Sequence, residues 1–70
     1  MTGYYYDNGL SLDEGTQDYN TGIKYRDQGR KDDARQSLQS AINIFKMCSE
    51  QHPEAATYLK QAEQDLQNLE

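Results

Sequence analysis

The 70-residue chain has one cysteine, one proline, one histidine, one phenylalanine and no tryptophan. With Cys48 alone, no internal disulfide can staple the fold, so stability has to come from helix packing. A reducing cytoplasm is the compartment expected by default. Basic residues are scarce as well: seven Lys and Arg stand against twelve Asp and Glu, a formal net charge of −5. A nucleic-acid binder needs a basic patch to neutralise phosphates, and an anionic lipid surface makes the same demand. Neither partner is expected. No apolar run approaches the roughly 20 residues of a membrane span, so no membrane insertion is expected either. The opening stretch Met1-Thr2-Gly3-Tyr4-Tyr5-Tyr6-Asp7 lacks the basic and apolar regions of a signal peptide.

Chemistry-bearing constellations are missing in the same way. Cys48 and His52 are spaced so that a helix would put both on one face, a metal-ligand arrangement. A structural zinc takes four ligands, and the sequence has no other Cys or His. Without an oxyanion site beside them, the pair does not read as nucleophile and base. Cys48 reads as part of an apolar stripe and His52 as a helix-terminal residue. Asp7-Asn8-Gly9-Leu10-Ser11 breaks the alternating acids of a calcium loop. Asp32-Asp33 reads as helix-start chemistry rather than a catalytic pair. The expectation is a non-enzyme with no cofactor and no metal.

What is present is a helical pattern. Only 34% of the residues are hydrophobic, six tyrosines included. One thin core is expected, worth about 3–5 kcal/mol of net stability in a chain this short. Residues 1–11 differ from the rest: Tyr4-Tyr5-Tyr6 precede Asn8-Gly9, a strong turn signal. They are expected to form a short flexible arm, able to lay its tyrosines on the helices. Residues 12–70 are expected to form one three-helix domain.

Ser11-Leu12-Asp13-Glu14 fits a capping box with Ser11 at the N-cap. The first helix is expected from Leu12 to Gln28, with Leu12, Tyr19, Gly22, Ile23 and Tyr25 on its apolar face. Gly15 and Gly22 each cost a helix interior roughly 1 kcal/mol relative to alanine, and glycine at that cost marks close approach of a second helix. Gly29 is expected to end the helix in a left-handed conformation. The second helix is expected over Lys31 to Gln51, with Ala34, Leu38, Ala41, Ile42, Phe45 and Cys48 in one stripe. Ile44 and Met47 lie off that stripe and form a smaller patch. His52, restricted by Pro53, closes the helix. Pro53 then fits the first position of a third helix. Its seam, Ala55, Leu59, Ala62, Leu66 and Leu69, suits packing along a neighbour. Short connections make successive helices antiparallel.

Gly22, Tyr25, Gly29, Ala34, Leu38 and Ala41 fall at the spacings of small and bulky positions in a tetratricopeptide repeat, which this stretch resembles. The resemblance is to a single degenerate repeat with the third helix as a cap. A second similarity lies in the same region. Ala34, Leu38, Ala41 and Phe45, followed by Tyr58-Leu59, Ala62-Glu63 and Leu66, resemble helices two and three of microtubule-interacting-and-transport domains. Both resemblances imply an all-α antiparallel three-helix unit that binds a peptide or helix of a partner protein, in the manner of an adaptor. The second implies a binding groove between helices two and three; the first, a concave face on helix one.

The expected function is therefore a protein-interaction module. Its expected contact residues are Ile44, Met47 and Tyr58, with Tyr4, Tyr5 and Tyr6 of the arm. Two other functions fit the same features. One is a structural subunit that forms a homodimer through the seam of the third helix. The other is a small regulatory protein that docks on an enzyme.

Overall fold

The computed structural model describes residues 12–69. They form three helices: α1 (Leu12–Asp27), α2 (Lys31–Cys48) and α3 (Glu54–Leu69). No strand occurs among the described residues. Ser11, the expected N-cap, and the tyrosines of the arm lie outside that range.

Charge placement favours α1 at both ends. Asp13 and Glu14 occupy its first turn, and Lys24 and Arg26 its last, each complementing the local end of the helix dipole. Gly29 terminates it with φ at +79°. The Gly29 amide donates to the Arg26 carbonyl at 3.0 Å, and the Arg30 amide to the Tyr25 carbonyl at 2.9 Å. This is a Schellman closure, and it satisfies carbonyls the helix end would otherwise leave bare. The Arg30 guanidinium lies 4.7 Å above the Tyr25 ring, so a cation–π contact covers the turn.

Helix α2 starts without a side-chain cap, but Asp32 and Asp33 stand in its first turn. Arginines hold both: Arg30 Nε donates to Asp33 at 2.8 Å and Arg35 to Asp32 at 3.1 Å. The helix ends at Cys48, three residues before the expected Gln51. The amides of Gln51 and His52 both turn back to the Cys48 carbonyl, at 3.0 and 2.8 Å. Pro53 disfavours helical geometry at His52, so the chain tightens into a turn before reaching it. Helix α3 begins at Glu54, one residue after the proline.

Helices α1 and α2 are antiparallel. Gly15 faces Phe45 and Ile44, Asp18 accepts from Ser40 Oγ at 2.8 Å, and Gly22 faces Leu38. As numbers climb on α1 they fall on α2. The glycines admit α2 closely: a Cβ at Gly15 would stand 2.6 Å from the Phe45 ring, and one at Gly22 2.8 Å from Leu38 Cγ. Helix α3 packs along the other flank of α2, burying Ala55, Ala62 and Leu69. Its seam is thus spent on the chain's own core, with Leu59 and Leu66 partly buried there. Helices α1 and α3 touch little.

Two apolar clusters result. Around Ala41, Ile42, Ile44, Phe45 and Cys48 pack Ala55 and Ala62, with Leu12 and Leu59 at the edge. Ala34, Leu38 and Leu69 form the second, with Ile23 and Tyr25 against it. Tyr19 and Leu66 touch both clusters and join them.

Candidate functional site

Alternate use of α2's flanks leaves a groove on its α3 side. Gln39, Ile42 and Lys46 form one wall, and Glu63, Leu66 and Gln67 the other, around a volume of about 370 Å³. Beneath it lie Ile42, only 3% exposed, and the half-buried Leu66, both drawn from the stripes that form the core. The four remaining residues are exposed and polar. Because the chain reverses between α2 and α3, Gln39 lies toward Gln67 at one end of the groove and Lys46 toward Glu63 at the other. No ion pair joins Lys46 to Glu63 among the described residues. The groove is open to solvent.

Of the expected contact residues, Ile44, Met47 and Tyr58 lie among the described residues. Ile44 is a correction: it is only 9% exposed and packs in the larger cluster, opposite Gly15. The absence of a side chain at Gly15 draws α1 over the flank that Ile44 occupies. Met47, three residues further on, remains 61% exposed. Tyr58 is 41% exposed and stacks on Phe45 from α3, with ring centroids 5.5 Å apart and planes 19° from parallel. Met47 and Tyr58 are the large apolar side chains left exposed among the described residues, on different helices. Tyr4, Tyr5 and Tyr6 lie outside the described residues.

A polar node ties α1 to α3. The Tyr19 hydroxyl donates a short hydrogen bond to Asp65, which is only 7% exposed. Gln61 Nε2 donates to the same carboxylate at 3.4 Å, and Arg26 Nη1 stands 4.0 Å away. Burial, and then the adjacent Asp65, push the Tyr19 hydroxyl up to about 12, so it stays protonated and donating at neutral pH. Asp65 carries no sequence signal that sets it apart from the other acids of α3. Tyr19, by contrast, is legible as a member of α1's apolar face.

Cys48 sits in the larger cluster, 5% exposed, and burial pushes its thiol up. That is the apolar-stripe role expected of it, and a raised thiol is a poor nucleophile. No group of three or more His, Cys, Asp or Glu residues able to hold a metal occurs among the described residues. No described helix is long and apolar enough to cross a membrane. No family model, curated protein or solved structure matches the chain.

Proposed function

We propose that this protein is a protein-interaction module that binds a helix of a partner protein in the groove between α2 and α3. The observation that supports this is the groove itself, with the half-buried Leu66 between polar walls. A docking helix would cover Leu66 and meet Gln39, Lys46, Glu63 and Gln67 with polar side chains. Met47 and Tyr58 are further contact points for the rest of a partner. The tetratricopeptide and microtubule-interacting resemblances both agree with peptide or helix binding, and the three-helix arrangement does not distinguish them. The cytoplasm suits a chain whose single thiol is buried in the core.

A homodimer through the α3 seam has less in its favour. Ala55, Ala62 and Leu69 of that seam are already buried within the chain, so such a dimer would have to lift α3 off its core. Docking on an enzyme is a special case of the groove reading and needs no separate surface.

The test compares three baits in affinity capture from the native cell extract: the wild type, a groove-filled Gln39→Trp/Gln67→Trp variant, and the exposed Gln64→Ala as a control outside the groove. Circular dichroism first establishes that all three fold. Proteins retained by the wild type and by the control should be absent from the groove-filled bait. Equal retention by all three would contradict the groove.

A further inference from the structure

Helix α3 is held to the chain by weaker means than those that join α1 to α2. Its buried apolar side chains are two alanines, Ala55 and Ala62, with Leu69 at its end. Alanines remove little apolar area from water, so they stabilise less than Phe45 and Leu38 do against α1. Tyr58 stacks on Phe45 but stays 41% exposed. Across from α1, the Tyr19 hydroxyl and the Arg26 guanidinium both reach to one α3 residue, Asp65. The connection from α2, residues 49–53, closes local hydrogen bonds: the amides of Gln51 and His52 turn to Cys48, and that of Ala55 to His52. Glu50, Gln51, His52 and Pro53 are exposed, so rotation there disturbs little packing.

We propose that α3 is a hinged cover. It opens as one unit about residues 49–53 while α1 and α2 stay packed, and Asp65 is the latch that keeps it shut. The contacts that hold α1 to α2 lie away from α3: Gly15 at Phe45, Gly22 at Leu38, and the turn at Gly29. They survive its release. Shutting the cover takes the Asp65 carboxylate out of water, and the Tyr19 hydroxyl offsets that cost. Without the hydroxyl the shut state keeps the cost and loses the bond, whereas the open state returns the carboxylate to water. Release bares the Tyr58-facing side of Phe45 and separates the two walls of the groove. The latch therefore governs whether that site exists, whatever occupies it.

The test is amide hydrogen exchange of the whole chain, followed by NMR, which reads the opening equilibrium of each helix. In the wild type the interior amides of α3 should share one rate and exchange faster than the slowest amides of α1 and α2. Tyr19→Phe should speed α3 exchange about tenfold. Gly29→Ala strains a position at φ +79° where a Cβ meets nothing within 4 Å, so it weakens the α1–α2 pair without touching α3. It should speed the slowest α1 and α2 amides about tenfold and leave the α3 rate unchanged. A common protection in all three helices, with Gly29→Ala speeding them equally, overturns the hinged cover. An α3 rate unaltered by Tyr19→Phe overturns the latch.

Discussion

The two flanks of α2 are filled by different rules. On the flank facing α1, glycines stand opposite the largest α2 side chains, Gly15 at Phe45 and Ile44 and Gly22 at Leu38. On the flank facing α3, Ala55 and Ala62 do the spacing, and a groove stays open beside them. Opposite a glycine, a large neighbour can occupy the space of the missing Cβ and the helix axes draw together. Opposite an alanine or leucine the axes stand further apart, and the ridges between them leave a furrow. One contact is therefore closed and intolerant of added atoms, and the other leaves open space beside it.

The largest effect should come from the residue both flanks share. Phe45 is fully buried, faces Gly15 and carries Tyr58 stacked on its other side. Phe45→Ala should cost about 3–5 kcal/mol, comparable to the whole stability of so small a domain. Loss of the cooperative melting transition by circular dichroism would show it.

Next comes Gly22→Ala, which sharpens the contrast because it ought to help an isolated helix. Its Cβ would meet Leu38 at 2.8 and 2.9 Å, and the Leu38 backbone nitrogen at 3.2 Å. Overpacking of this kind costs about 1–3 kcal/mol, which outweighs the roughly 1 kcal/mol gained in helix propensity. A lowered urea midpoint is expected, whereas an exposed alanine replacement on α3, such as Gln64→Ala, should leave the midpoint nearly unchanged.

Tyr19→Phe probes the thin join between α1 and α3. Removing the hydroxyl deprives a buried carboxylate of its closest donor, at about 1–2 kcal/mol. The same bond has a pH signature. The folded-state Tyr19 hydroxyl titrates at about 12 against an ordinary value near 10, so the folded chain holds this proton more tightly than the unfolded one. Its contribution is complete below about pH 10 and is lost as pH rises through 10 toward 12. Unfolding measured across that range should show a falling alkaline limb that is shallower in Tyr19→Phe. Parallel limbs would contradict the assignment.

Met47→Glu should have the smallest effect. The side chain is largely exposed, so the change should fall within about 0.5 kcal/mol in thermal unfolding.

Much of the helix layout is legible in the residues. The periodic stripe of α2 names its buried positions, Gly29 marks the turn, and the alanine–leucine seam identifies the packing face of α3. The two glycines of α1 announce a close approach because nothing else justifies their cost in a helix. Ile44 shows what periodicity misses. It stands off the stripe on a wheel drawn for α2 alone, and only the nearness of α1, granted by Gly15, buries it. Burial at such a position depends on two elements at once, so no single-helix pattern contains it. Asp65 is harder still. It sits beside Leu66, two residues after the exposed Glu63, and its burial accompanies the hydrogen bond from Tyr19 reaching across from α1. The groove between α2 and α3 carries no pattern of its own in the residues, since Ile42 and Leu66 beneath it have the core as their first role.

The central claim is that glycine at α1 exists to admit the large side chains of α2. The most direct measurement is a double-mutant cycle, with Gly15→Ala introduced into the wild type and into Phe45→Leu, and stability read by urea unfolding. The added Cβ meets the Phe45 ring at 2.6 and 2.9 Å. Gly15→Ala should therefore destabilise the wild type, and cost much less or even stabilise once the ring is gone. The same loss in both backgrounds would contradict the account.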